Sequence, residues 1–319
     1  MGFNILPALP GAVSQGILWG VMALGVYITF RVLNIADLTV DGSFALGSCI
    51  CAVMMVRYKI HPLPALLLSS MAGALAGGIT GVLHTMFDIP AILAGILTQI
   101  SLWSINLRIM GQSNITLDKF EDATSLKDKP KTIFSLLTQS TGLSNAQAGI
   151  IIGLLSAILI ISLLYWFFGT ELGSAMRATG NNEDMIRALG VDTRKTKLLS
   201  IMLSNALVGL SGGLVCQSQK YADINTGTGA IVIGLAAIVI GEILLGRLIS
   251  FASKLSSIVV GSIVFFIIRA IALQLRMNPN DIRMVSAVIV AIALIIPVSM
   301  EKWRLRASYS PKGKEVRNA

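Results

Sequence analysis

The chain has 319 residues, 54% of them hydrophobic and only 13% charged, with a mean hydropathy of +0.78. Soluble domains carry about 25% charged residues, so this deficit excludes an ordinary water-facing globule. The net charge of +9 raises nucleic acid as a partner. The basic residues instead cluster beside apolar runs, as anionic headgroups and the positive-inside bias require, and no nucleic-acid partner is expected.

The N-terminus lacks the basic region of a signal peptide, and its apolar run continues to Phe30. It reads as a retained span. A bilayer span needs about 20 mostly apolar residues. Candidates fall at 11–30, 43–56, 63–85, 91–110, 149–168, 197–217, 229–246, 255–274 and 284–300. The expected fold is an all-α integral membrane bundle of about 8–10 transmembrane helices.

The second candidate is short, and the stretch before it, 31–43, reads RVLNIADLTVDGS. That is too polar for lipid, and broken backbone at membrane depth needs protein or a water-filled cavity around it. Asp37, Thr39 and Asp41 lie in this broken segment, and Thr98, Gln99, Ser101 and Asn106 punctuate the fourth span. Polar groups at such depth are costly and usually face a cavity or a partner, so Asp37, Thr39, Asp41, Asn106 and Glu242 are candidates for a solute path. Two blander roles compete. Asp37 and Asp41 can simply cap a helix beginning near Ser43, and Glu242 of the seventh span can pair with Arg269 of the eighth.

Residues 111–147 form a long polar segment with balanced charge, and 169–198 form a basic one carrying Arg177, Arg187, Arg194, Lys195 and Lys197. The C-terminal stretch 301–319 is also basic and lies four candidate spans further on, hence on the same side. The positive-inside bias makes that side cytoplasmic and places 111–147 outside. Residues 1–300 are thus one transmembrane domain with a basic cytoplasmic tail. Within 169–198, Asn181 or Asn182 can cap a short helix with Glu183 and Asp184 in its first turn. Gly190 stands where such a helix stops. The segment predicts a polar helix over 178–190 that either meets a soluble partner or is an ordinary solvated loop. Glycines at 73, 77, 78 and 81, and at 209, 212 and 213, let helix backbones approach closely.

No G-x-x-x-x-G-K-[ST] string occurs, and His61 and His84 are isolated. Cys49, Cys51 and Cys216 all lie in apolar segments and read as small buried side chains rather than metal ligands. Catalysis within the chain and a metal site are not expected.

The 169–217 stretch resembles the cytoplasmic-loop signature of ABC-importer permeases of the ribose and branched-chain amino-acid class. It is carried here by Gly173, Arg177, Ala178, Gly180 and Asn182, with Gly190 eight positions on. The segment IADLTVDGS similarly resembles the D-L-S-V-G element near that family's transport path, in Asp37, Leu38, Thr39, Val40 and Gly42, with Asp41 inserted before the glycine. The nearest likeness is to a tryptophan-type branch whose substrates include aromatic amino acids. The resemblance implies a permease of the bacterial inner membrane, acting as a homodimer. Two separate ATPase subunits carrying ATP and Mg would dock on Arg177, Gly180, Asn182, Arg187 and Gly190. An extracytoplasmic solute-binding protein would deliver a small polar solute. The residues alone leave an ion-coupled secondary transporter, or a non-transporting scaffold, as alternatives.

Overall fold

In the computed structural model, residues 6–118, 120, 130–245, 250–274, 284, 286–292 and 295 are described. The first apolar run forms α1 (Leu9–Tyr27), which widens into a single π-helical stretch at Ile28–Val32. Helical geometry ends near Asn34, whose φ of 57° is a left-handed conformation that asparagine tolerates. The chain resumes as α2 (Thr39–Val56). This helix starts before Ser43, because Thr39 and Asp41 find polar partners inside the protein that apolarity alone does not reveal.

Two long apolar helices follow, α3 (Pro62–Thr85) and α4 (Ala91–Met110). His61 accepts a hydrogen bond from the Leu63 N–H at the start of α3, and Gly111 closes α4 at a φ of 70°. The polar segment beyond carries β1 (Asn114–Thr116) and a short helix, α5 (Ile133–Thr141). Next comes α6 (Asn145–Phe168), opened by a reciprocal capping box between Ser144 and Gln147. The basic loop holds α7 (Glu171–Asn181) and α8 (Glu183–Ala188) and leads into α9 (Thr193–Gln219). Strand β2 (Tyr221–Asp223) then precedes α10 (Ala230–Leu245) and α11 (Phe251–Gln274). Helical residues at 286–292 fall within the ninth predicted span. Arg247 and the tail 301–319 lie outside the described residues.

Among the described residues seven helices are long and apolar enough to cross a bilayer, and α10 is a shorter apolar one. That number of crossing helices makes it a multi-pass membrane protein. β1 pairs antiparallel with β2, Ile115 opposite Ala222. That ribbon ties the polar segment 111–147 to the end of α9 farthest from the basic loop.

Helices α1, α2 and α9 are the interior. The apolar windows of α1 and α2 are 83% buried, against 28% for α4 and 22% for α6. The outer helices turn Leu97, Trp103, Leu155, Leu159 and Trp166 outward, a surface that a bilayer solvates and water does not. Small residues let α9 sit tightly against its neighbours. A Cβ on Gly77 of α3 would fall 2.6 Å from the Ile201 carbonyl oxygen of α9, and one on Gly47 of α2 would overlap the Gly209 backbone. Backbones in such contact gain dispersion that larger side chains would forbid.

Candidate coupling and translocation site

The basic loop is two helices rather than the single 178–190 helix expected. Thr170 opens α7 by accepting from the Gly173 N–H at 3.3 Å. Asn182 closes it, its N–H donating to Ala178 O at 3.0 Å. Its backbone is extended, with φ −154° and ψ 96°, so one helix cannot run through. The same residue starts α8, its side-chain oxygen accepting from the Met185 N–H at 3.0 Å. Glu183 and Asp184 then occupy the first turn, where acids offset the positive end of the helix dipole. Gly190 has a φ of 85°, and a Cβ there would touch nothing within 4 Å. Its constraint is conformational, a left-handed position that glycine fills without strain. Asp192 caps α9 by accepting from Arg194 N–H and Lys195 N–H.

Two members of the expected docking set turn inward. Arg177 donates to Phe168 O at 2.9 Å and lies over the Phe251 ring at 5.5 Å, tying α7 to α6 and α11. Gly180 lies on the π-helical stretch, and a Cβ there would overlap the Val32 carbonyl oxygen. Arg187 stays at the surface and pairs with Glu183 at 2.8 Å. Met185 and Leu189 beside it are 52% and 72% exposed, giving α8 an uncovered apolar edge.

Glu183 also accepts from Lys197 of α9 at 2.5 Å. That hydrogen bond, with the Lys197 and Arg187 charges, holds its carboxyl below the ordinary value of 4.5. A depressed carboxylate stabilises the folded state above its unfolded pKa, and the benefit fades as pH falls through the folded value. Hydrogen exchange in α8 should therefore quicken on acidification below the ordinary carboxylate range. Lys197→Gln should flatten that pH response. An unchanged response in Lys197→Gln would show that the Glu183–Lys197 bridge does not hold α8.

The broken segment leads from this contact into the bundle. Asp37, only 3% exposed, accepts from the Thr39 N–H at 2.9 Å and from the Asn205 side-chain amide of α9 at 2.7 Å. Asn205 donates also to Ile201 O. Thr39 Oγ1 meets Thr80 Oγ1 of α3 at 2.7 Å, and Thr80 donates to Thr98 Oγ1 of α4 at 2.9 Å. The start of α2 is thereby pinned to α3, α4 and α9 through a chain of buried polar groups. Asn205 and Thr80 carry no motif. The mark of Asn205 in the sequence is an amide in the middle of a span otherwise built of apolar residues, glycine and serine.

Asp41 does not cap its own helix. Its two oxygens accept from Gly229 N–H and Ile231 N–H, both at 2.9 Å, so it caps α10. With Gln99, Trp103, Asn106 and Thr228 it lines a cavity of about 250 Å³. Asn106 is 1% exposed, and both polar atoms of its side chain lack a partner among the described residues. Asp41 and Asn106 thus share one cavity, while Asp37 and Thr39 are bound into the network behind it. Glu242 belongs to neither. It pairs with Arg31 at the end of α1, the two side chains 38% and 46% exposed. The expected Glu242–Arg269 pair is not formed. Arg269 lies near the other end of α11, over the Phe266 ring at 5.5 Å.

A multi-pass bundle with a structured basic loop braced against a broken, polar, buried segment is the architecture of a transport permease. The chain belongs to the family of branched-chain amino acid transport system permease components, whose pattern matches residues 9–297. It is a permease component of the ABC transport type. It is 35% identical to the tyrosine transport system permease protein of Clostridioides difficile, over 87% of each chain. It is 27% identical to the guanosine ABC transporter permease protein of Bacillus subtilis, over 69% of this chain and 68% of that one. The ribose import permease protein of Escherichia coli is 25% identical, over 75% of this chain and 68% of the relative. No solved structure matches.

Proposed function

We propose that this permease forms, as a homodimer, the inward path for an amino acid, most consistently an aromatic one, and that separate ATPase subunits drive it. The observation that carries this reading is the packing of Gly180 on the Val32 carbonyl. It links the loop that a soluble partner would grip to the broken segment holding Asp37. ATP and Mg would reside on the ATPases, which would grip the exposed edge of α8 around Met185, Arg187 and Leu189. Their closure would displace α7 and α8, press on the π-helical stretch, and shift the bundle between outward- and inward-open states. An extracytoplasmic solute-binding protein would deliver the amino acid near the β1–β2 ribbon. The identity to the tyrosine permease supports the aromatic class, and the Asp41–Asn106 cavity supports a polar path.

The reading predicts the energy source. Among the path candidates, Asp37 is held by two hydrogen bonds and Glu242 by Arg31, so neither is a free ion carrier. Uptake in cells should persist when an uncoupler collapses the proton gradient while ATP is maintained. Loss of uptake under the uncoupler, at constant ATP, would point instead to an ion-coupled secondary transporter.

A further inference from the structure

We infer that the cavity between α1, β2, α10 and α11 at the external end of the bundle is a subsite for a zwitterionic α-amino acid with an aromatic side chain. The inference rests on the reading of this chain as an amino-acid permease and adds where, and by which groups, the solute is held. The cavity measures about 830 Å³ and is lined by Trp19, Tyr221, Asp223, Phe266 and Arg269, among others. Clefts of this size are typical of small-ligand sites, and a few convergent polar groups set in apolar walls give them specificity.

Its charges are arranged for a ligand rather than for each other. Arg269 is partly buried near the external end of α11, and its contact is the Phe266 ring rather than a carboxylate. No ion pair to an acid is formed by it among the described residues. A guanidinium held at the edge of a membrane span without a counter-ion favours any anion that can reach it, and its planar fork matches a carboxylate. Asp223 opens onto the same cavity. One of its oxygens accepts from Asn225 N–H at 2.6 Å, which leaves the other for an ammonium group. Two opposite charges that line one cavity without pairing leave room for a ligand bearing one of each.

The wall selects the side chain. The rings of Trp19 and Phe266 lie 5.7 Å apart, and Trp19 packs on Phe44 at 4.5 Å. They form an aromatic surface on which another ring can pack in offset or edge-on geometry.

The test uses the full-length chain in phosphatidylcholine nanodiscs, with Thr226→Cys as a reporter in the cavity wall. Cys49, Cys51 and Cys216 are buried and serve as silent background. Modification by a charged thiol reagent is followed with L-tyrosine, with tyramine, which lacks the carboxylate, and with 3-(4-hydroxyphenyl)propionate, which lacks the ammonium. L-tyrosine should protect at concentrations about tenfold or more below either analogue, the difference a single charge-assisted contact makes. Arg269→Gln should erase the preference over tyramine, and Asp223→Asn the preference over the propionate. Arg269→Lys, which keeps the charge and loses the fork, should retain part of the first preference and serves where Arg269→Gln does not fold. Absence of protection by L-tyrosine, or an Arg269→Gln variant that keeps its preference, overturns the subsite. Protection by added phosphatidylglycerol alone would overturn it too, assigning Arg269 to a lipid headgroup. ATP-driven uptake by the wild-type complex without protection removes the subsite and leaves the transport reading standing. Protection without any uptake by that complex does the reverse.

Discussion

Gly180→Val should abolish ATP-driven uptake in reconstituted proteoliposomes while leaving the protein in the membrane. A Cβ at this position would overlap the Val32 carbonyl oxygen. Neither partner can yield cheaply, since one is helix backbone and the other belongs to the π-helical end of α1. Overpacking of this kind costs about 1–3 kcal/mol, enough to lift α7 off the stretch it presses. Val32 is only two residues from Asn34, where the left-handed bend begins, so the displacement is transmitted into the broken segment. Gly180→Ala should show the same defect in weaker form. Ser174→Val, on the exposed face of α7, is the control and should transport normally. Measurement of uptake beside ATP hydrolysis separates the outcomes. Hydrolysis that continues without transport is the expected signature, and wild-type uptake in Gly180→Val would show that α7 does not act through Val32.

Asp37→Ala should produce the largest loss of stability among the path residues. It removes the acceptor of both the Thr39 N–H and the Asn205 amide, at a position only 3% exposed. Each buried donor left unsatisfied costs about 1–3 kcal/mol. Thermal unfolding in detergent should fall by several degrees, and uptake should be lost. Asp37→Asn keeps an acceptor oxygen and should be milder. The double variant Asp37→Ala/Asn205→Ala discriminates further, because it removes the orphaned amide along with the lost carboxylate. It should be less damaged than the sum of the two single changes, with a coupling of about 0.5–3 kcal/mol. Strict additivity would mean that the two side chains do not support one another.

Much of this architecture is legible in the residues, and the misreadings have physical causes. Hydropathy reveals the helices, because lipid imposes the same demand on every span. The boundary of α2 is hidden because Thr39 and Asp41 look like loop residues until Thr80, Gly229 and Ile231 supply their partners. The single helix expected over 178–190 fails at one residue. Asn182 can cap only by leaving helical geometry, which ends α7 as it begins α8. The Glu242–Arg269 pairing fails on simple length. Helices α10 and α11 are consecutive and antiparallel, and with a rise of about 1.5 Å per residue Glu242 and Arg269 fall toward opposite ends. Arg31, the partner that Glu242 takes, lies 211 positions away, and no local pattern points to it. The docking set reads as one group in the sequence, yet its members divide: Arg177 and Gly180 face the bundle, whereas Arg187 stays at the surface.

The cap that Asp41 provides to α10 means that where α10 begins is decided by another helix. Residues 229–231 hold their helical turn through a carboxylate carried on α2, 188 positions earlier in the chain. A displacement of α2 by little more than the length of a hydrogen bond would release two amide hydrogens at once, and that turn would melt. The first turn of α10 is therefore a sensor of the position of α2, written in backbone geometry rather than in a charge. Whatever moves the broken segment would therefore also act on the start of α10, through a helix end that is either wound or unwound.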